Sequence, residues 1–365
     1  MYLAKLACWG PRGLIAITLT VKLCELVHNE VLNLRGVPRG MPKGIFTQGV
    51  VVLTSRTIPI DEVAAALSGF NQRGVREASE QWALGGASLQ VVFDEALNGM
   101  VTIDTVEHPW PDHMGDPKDE AILFGAWAMG NFGPYAYPGG LFRASQQSWN
   151  WEGGQNVADQ HTAFLRLRVS YVLGAADDAA VMPDGCNPLA ELEFCMKLVQ
   201  ALLEIPGTLC YFNPSGEVLR DQDTFRESLN FAWANQLLPL DLWSNVRLFN
   251  VNETWSMMDS VGNWQLDLPD CEACFLGEAY DFNEVDNFLR NVTLYLIEQG
   301  EVIEDGDTMD GPGDIPWQAK LQENSLCEPP RIVLRWLPLD DHEVPEEIVN
   351  ANDADDENED EEQPE

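Results

Sequence analysis

The sequence predicts an α+β protein built from two β-α-β-β units of the split, ferredoxin-like kind, with antiparallel sheets packed together. Three observations support this class. Runs of β-branched residues alternate with segments of helical periodicity, and two stretches of about sixty residues repeat the same element order. In addition, 45% of the 365 residues are hydrophobic, which is typical of a globular protein. A chain of this length is expected to form more than one packed unit.

The first predicted unit covers residues 44–155. It begins with a β-branched strand, TQGVVVLTSR at 47–56, and continues with a short amphipathic helix, IDEVAAALSGF at 60–70. SLQVVFD at 88–94 and GMVTIDTVE at 99–107 follow with only EALN between them. Two strand patterns joined by such a short connection predict a hairpin.

The second predicted unit covers residues 156–342 and starts with the strand FLRLRVSYV at 164–172. A helix is expected to begin at Asn187-Pro188 and to end before Pro206-Gly207, because these residues are typical start and stop signals. Further strands and helices follow: TLCYFN, EVLR, TFRESLNFAWANQ, NVRLFNV, WSMMDSV, NEVDNFLRNVTLYLIEQG and RIVLRWL. The repeated order of strand, helix and two strands suggests an internal duplication.

The two ends of the chain differ from its middle. Residues 1–43 form a relatively basic N-terminal extension, joined by the glycine- and proline-containing linker RGVPRGMPKG, and are expected to be poorly ordered. Residues 340–365 contain fourteen acids and no Lys or Arg. A segment of this composition buries too little apolar surface to fold, so residues 343–365 are predicted to be a disordered acidic tail.

Net charge is the most unusual property of the chain, since 59 acidic and 21 basic residues give −38. Such a surface repels nucleic acid and anionic lipid and attracts basic proteins. We therefore expect a basic protein as partner, no nucleic acid and no membrane. The apolar run at 14–21 is too short to span a bilayer. Solubility or adaptation to salt is the alternative explanation of the charge.

The eight cysteines show no dense disulfide spacing, which favours a reducing cytoplasm. Cys271 and Cys274 form a CxxC pair, but a structural zinc site needs four ligands and the chain has no second pair at the required spacing. We expect two buried thiols, no metal and no cofactor.

The standard nucleotide-binding and hydrolase motifs are missing, which lowers the expectation of an enzyme without excluding one. The strongest catalytic candidates lie in HPWPDHMGDPKDE, where imidazole and carboxylate groups occur on a proline-stiffened segment. They are His108, Asp112, His113 and Asp116. The alternative is a rigid connection whose polar groups cap turns.

A second acidic segment, DGDTMDGPGDIPW at 305–317, has Met309 and Asp310 where an EF-hand loop needs an oxygen ligand and glycine. Its Asp-Gly and Pro-Gly pairs predict a tightly wound loop with Trp317 as apolar anchor. The alternative is a cation-binding or active-site role for its carboxylates, which are Asp305, Asp307, Asp310 and Asp314.

An aromatic stretch of low charge, residues 123–154, is either a recognition surface or a buried cover. Arg166 and Arg168 share one face of a strand and either bind an external carboxylate or phosphate or pair with the protein's own acids. The candidate binding residues are Trp110, Trp127, Tyr135, Tyr137, Trp149, Trp151, Arg166, Arg168 and Trp317.

Several of these segments together resemble an uncharacterised bacterial family, the domain of unknown function 4261 type. The resemblance runs from about Gly44 to Pro338. It implies a cytoplasmic bacterial protein and brings no activity, cofactor or catalytic residue with it. The segments that carry it are HPWPDHMGDPK, SWNWEGG, RLRVSYV, NVRLFNV, NFLRNVTLYL and DGDTMDGPGDIPW.

Two functions are consistent with these features. The first is a non-catalytic acidic protein-binding or immunity-like factor for a basic partner, which the charge and the aromatic content favour. The alternative is a metal-assisted or acid-base hydrolase that uses the His108–Asp116 loop together with the Asp305–Asp314 loop.

Overall fold

The computed structural model describes residues 43–78, 85–148 and 151–349. Within these ranges the protein has the predicted α+β class, with two sheets. The chain divides into two compact units, the first comprising residues 1–139 and 159–211 and the second residues 140–158 and 212–365. Most of the N-terminal extension, most of the acidic tail and Trp149 lie outside the described residues, so the predicted disorder of both ends stays a prediction.

The elements are numbered here in chain order. The strands are β1 Gln48–Thr54, β2 Gln72–Arg76, β3 Ser88–Asp94, β4 Gly99–Val106, β5 Ala163–Ser170, β6 Thr208–Asn213, β7 Val218–Asp221, β8 Asn245–Asn250, β9 Trp255–Val261, β10 Asp270–Leu276, β11 Thr308–Gly311, β12 Ile315–Gln322 and β13 Val333–Pro338. The helices are α1 Ile60–Ala66, α2 Ala121–Ala128, α3 Gly140–Gln146, α4 Val157–Gln160, α5 Pro188–Leu202, α6 Gln222–Ala234, α7 Leu240–Trp243, α8 Phe282–Gln299 and α9 Glu346–Val349.

The sheet of the first unit has its strands in the order β2-β3-β4-β5-β1-β6. Strand β5, which was predicted to open a second unit, lies between β4 and β1 and pairs antiparallel with both. Strand β2 was missed by the sequence analysis. Its residues, QRGVR, show no apolar alternation and are mostly exposed, so the strand has no pattern from which to predict it.

Helix α5 forms as its sequence predicts. The side chain of Asn187 accepts hydrogen bonds from the backbone N–H groups of Leu189 and Ala190, at 2.9 and 3.3 Å, and Pro188 occupies the first turn. The apolar face of the helix is buried against β1 and α1, and it includes Leu192, Cys195, Met196 and Val199.

The sheet of the second unit has the order β11-β12-β13-β10-β9-β8. Strands β10 and β13 are parallel, whereas the other neighbours are antiparallel. Helix α8 packs against β9 and β10, and its Phe288 ring lies 5.4 Å from Trp317 and 5.3 Å from Trp336. One face of this sheet is therefore an apolar core under α8.

The opposite face of the same sheet is covered in part by the C-terminal helix α9. Ile348 is buried in a cluster with Trp255, Met257 and Cys274. The backbone carbonyl of Ile348 also accepts a hydrogen bond of 2.6 Å from Arg335. The packed part of the chain therefore continues to Ile348, past residue 343 where the tail was predicted to begin, because apolar side chains interrupt the acidic run.

This packing predicts a difference between two truncations. Ending the chain after Glu343 removes Ile348, whose burial is worth about 1.5–3 kcal/mol, and leaves Arg335 without one of its acceptors. Ending it after Val349 removes only residues outside the described ranges and keeps both contacts. Urea denaturation should show a lower unfolding midpoint for the shorter chain only. Equal midpoints for the two truncations would contradict the role assigned to α9.

Candidate functional site

A row of buried charged side chains crosses the face of the second sheet that lies opposite α8. Arg247 on β8 lies opposite Asp259 on β9, Asp259 lies opposite Glu272 on β10, and Glu272 lies opposite Arg335 on β13. Each of these four side chains is at most 1% exposed. We call this set the charge row. Its register places all four on one face, because alternate residues of a strand point to the same side.

Asp259 is the centre of the charge row. It accepts a hydrogen bond of 2.9 Å from Arg247 Nε and one of 2.7 Å from Arg331 Nη2. Arg331 also donates to Asp270 at 2.9 Å, and it therefore adds a cation beside two acids of neighbouring strands. On the other side, Arg247 Nη1 donates to Glu217 at 2.9 Å. Positive and negative groups alternate along this chain of contacts.

The arginines decide the ionisation of Asp259. Burial by itself would raise the pKa of this carboxyl, but the charges of Arg247 and Arg331 and their hydrogen bonds hold it below its usual value. The pKa of Glu272 is instead raised, because burial outweighs the attraction of Arg335 and Arg331. Asp259 is thus the carboxylate that the surrounding cations stabilise in its charged form.

The charge row and its neighbours hold the loop between β12 and β13. Glu272 accepts a hydrogen bond of 2.8 Å from the backbone N–H of Leu326. Arg335 donates to the carbonyl of Asn324 at 3.2 Å, and Arg331 donates to the carbonyl of Pro329 at 2.7 Å. Hydrogen bonds to buried charged side chains therefore hold the backbone of this loop. Its exposed Glu328 carboxylate lies 3.3 Å from Arg143.

Sequence reasoning did not identify the charge row, although a signal was present. Each of the strands β8, β9, β10 and β13 contains an acid or arginine at a position flanked by apolar or small residues. A charge inside a strand with apolar residues on both faces indicates a buried partner, since unpaired burial of a charge is very costly. The identity of each partner depends on strand register, which was unknown.

The end of α8 and the residues after it form an acidic exposed surface of the second unit. We call residues 298–314 the acidic hairpin. It has no Lys or Arg, and its seven acidic residues are all exposed: Glu298, Glu301, Glu304, Asp305, Asp307, Asp310 and Asp314. Its last part is a β-hairpin in which β11 pairs with β12.

Backbone hydrogen bonds and one tryptophan shape the acidic hairpin. Asp307 accepts from the N–H of Glu304 at 2.8 Å, and Asp305 accepts from the N–H of Leu321 at 2.9 Å. Trp317 is fully buried, and its indole N–H donates to the carbonyl of Pro312 at 3.1 Å. Trp317 anchors the segment as expected and Asp305 and Asp307 are engaged in its turns, but the strands β11 and β12 were not predicted there.

The other catalytic candidates, from the segment at residues 108–116, lie in the first unit. His108, His113 and Asp116 are exposed and Asp112 is half-buried. Hydrogen bonds from the backbone N–H groups of Asp119 and Lys118 lower the pKa of Asp116. This carboxylate closes a turn, which is the structural alternative considered for the segment. A catalytic role of the four residues stays a prediction.

Three of the six described aromatic candidates, Trp110, Trp127 and Trp317, are buried. Trp110 and Trp127 are buried with ring centroids 5.8 Å apart, and both contact Phe132. The backbone N–H of Trp110 donates to Nε2 of His161 at 2.8 Å. These two tryptophans serve as cover for the first unit. The remaining members are more accessible: Tyr135 and Trp151 are half-buried and Tyr137 is exposed.

Arg166 and Arg168 are buried on β5 and bond to the protein's own groups. Arg166 lies 3.1 Å from the Asp104 carboxylate, which also contacts Arg168, and Arg168 donates to the side-chain oxygen of Asn131 at 3.0 Å. Burial, followed by the charge of Arg166, lowers the pKa of Arg168 to about 10. Gly49 allows this arrangement, because a Cβ there would lie 2.6 Å from the backbone next to Asn131.

The CxxC residues do not converge. Cys271 and Cys274 are both buried on β10, three positions apart, so their side chains point to opposite faces of the strand. Burial raises the pKa of both thiols. Within the described ranges, no group of three or more His, Cys, Asp or Glu residues is arranged to hold a metal ion. No helix there combines the length and apolar character needed to cross a bilayer.

Residues 259–337 match the model of a family described as Domain of unknown function (DUF4261). This segment contains Asp259, Glu272 and Arg335 of the charge row, Arg331, and the whole acidic hairpin. Searches of curated proteins and of solved structures found no match.

The charge row predicts a large effect of a small substitution. Asp259→Asn keeps the shape of the side chain but leaves two buried arginines without their shared anion, so it should lower the free energy of unfolding by about 3–5 kcal/mol. The matched control is Asp223→Asn, at an exposed acid paired with Arg226, which should change it by at most about 0.5 kcal/mol. Denaturant titration measures both. A loss at Asp259 no larger than the control would show that the row does not stabilise the sheet.

Proposed function

We propose that the protein is a non-catalytic acidic protein-binding or immunity-like factor whose partner is a basic protein. The observation that carries the proposal is the unequal distribution of charge between interior and surface. Buried cations and buried acids nearly cancel each other, so the net negative charge is carried by residues outside this buried set.

The buried groups show this distribution directly. Among the described residues, seven basic side chains are buried: Lys43, Arg166, Arg168, Arg220, Arg247, Arg331 and Arg335. Six acidic side chains are buried: Asp104, Glu191, Glu217, Asp259, Asp270 and Glu272. These buried charges nearly cancel, so they neutralise almost none of the net charge of −38.

The acidic hairpin is the surface we propose for the partner. It concentrates exposed carboxylates without a compensating cation, and its backbone is held by Trp317 and by turn hydrogen bonds. A negative surface of this kind accelerates encounter with a basic protein. Its rigidity lowers the conformational entropy lost on binding.

The hydrolase alternative receives less support from the geometry. It assigns catalytic work to Asp116, Asp305 and Asp307, and each of these carboxylates accepts a backbone hydrogen bond that shapes its own loop. We therefore keep binding as the proposed function. A reducing bacterial cytoplasm is the proposed location, which the family resemblance implies and which fits the free thiols of Cys195, Cys271, Cys274 and Cys327.

The test begins with the full chain as bait in host extract at low salt, followed by kinetics with the recovered partner in pure form. The hairpin variant carries Glu301→Gln, Glu304→Gln and Asp310→Asn. The control carries Asp177→Asn, Asp178→Asn and Asp184→Asn, at exposed acids of the first unit, and changes net charge equally. We expect the hairpin variant to slow association on the order of tenfold, and the control less than about twofold.

The other outcomes are also decisive. Equal slowing by the two variants would mean that the partner responds to the field of the whole chain and not to the acidic hairpin. Recovery of no basic protein would contradict the proposed function. An association rate that does not depend on salt would remove the electrostatic rationale, since screening at physiological ionic strength acts over about 8 Å.

A further inference from the structure

Helix α2 has an exposed apolar side. Its sequence, AILFGAWA, contains no charged residue, and it buries Leu123 and Trp127 on one side. On the other side Ile122 is 64% exposed and Met129, which follows the helix, is 55% exposed. These two residues are seven positions apart, so they lie on the same face, with Gly125 between them. We call Ile122, Gly125 and Met129 the α2 stripe.

The α2 stripe is open along its length. A Cβ placed on Gly125 would have no atom within 4 Å. Met114, in the loop before the helix, is a further exposed apolar side chain at 39%. That loop lies beside α2, since a Cβ on Gly115 would be 3.1 Å from Leu123. Exposed apolar side chains that share one face of a helix are typical of a contact site.

The chain outside the described residues reaches the structure beside this stripe. A Cβ on Gly44 would lie 3.4 Å from the backbone carbonyl of Met129. Lys43, the first described residue, is itself only 7% exposed. Residues 1–42 thus join the first unit at the Met129 end of the stripe.

The composition of residues 1–42 complements the stripe and its surroundings. Residues 14–34, LIAITLTVKLCELVHNEVLNL, are largely apolar. The whole segment has five cations, Lys5, Arg12, Lys22, Arg35 and Arg39, and two acids, Glu25 and Glu30. The turn before α2 exposes three acids, Asp116, Asp119 and Glu120, with Lys118 as the cation among them. The apolar character of residues 14–34 matches the stripe, and the excess of cations in residues 1–42 lies on either side of that segment.

The connection is long enough for residues 14–34 to fold back. Residues 35–42 separate them from Lys43, and eight extended residues span at most about 28 Å. The eight residues of α2 are only about 12 Å long. The segment can therefore cover the stripe from either end.

We propose that residues 14–34 of this chain dock on the α2 stripe and cover Ile122 and Met129. This inference differs from the expectation that residues 1–43 are poorly ordered. It is independent of the proposed function, since it concerns the first unit and no basic partner.

Hydrogen–deuterium exchange in a two-by-two design tests the docking. The four proteins are the full chain and a chain lacking residues 2–42, each with and without the pair Ile122→Ser and Met129→Ser. We expect deletion to speed exchange of the amides of residues 124–129 on the order of tenfold, and the substitutions in the full chain to do the same. In the deleted chain the substitutions should add little, because the contact is already lost.

Val75→Ser is the matched control, at a 43% exposed apolar residue on β2 of the same unit, and should leave these amides unchanged. A photoreactive residue at position 122 should crosslink to residues 14–34 of the same chain. Unchanged exchange on deletion would overturn the proposal. So would self-association, measured by sedimentation, that the stripe substitutions abolish with or without residues 2–42, since a second copy would then be the occupant.

Discussion

Asp259 accepts hydrogen bonds from two buried arginines that come from distant parts of the second unit, Arg247 on β8 and Arg331 in the loop before β13. A buried charge is tolerated only when it is paired and hydrogen-bonded, so these three groups must be assembled together. Their assembly requires the register of β8 with β9 and the course of the loop before β13. The pairing of β8 with β9 and the loop before β13 therefore depend on this interaction.

Buried ion pairs of this kind contribute more to uniqueness than to net stability, because desolvation offsets much of the Coulomb attraction. Here a shift of one residue in the pairing of β9 would turn Asp259 towards the apolar core under α8. The sheet of the first unit also contains a buried ion pair between neighbouring strands, in which Asp104 on β4 lies opposite Arg166 on β5. In both sheets the charges make alternative registers unfavourable.

The same pairing has a consequence at the surface. The buried cations and acids nearly cancel, so the excess of acids in the composition remains on the rest of the chain. The family-model match, residues 259–337, contains most of the charge row together with the acidic hairpin. One segment therefore includes both the buried charges that order the second sheet and the exposed carboxylates next to it.

The sequence by itself determined the α+β class, the start of α5 at Asn187-Pro188 and the anchoring of the acidic loop by Trp317, because caps, turns and periodicity act over a few neighbouring residues. It also indicated that Arg166 and Arg168 pair with the protein's own acids. Only the tertiary structure decided that β5 inserts between β4 and β1, and that Asp104 meets Arg166 across 62 positions. Partners so far apart are chosen by strand register and burial, which no local pattern specifies.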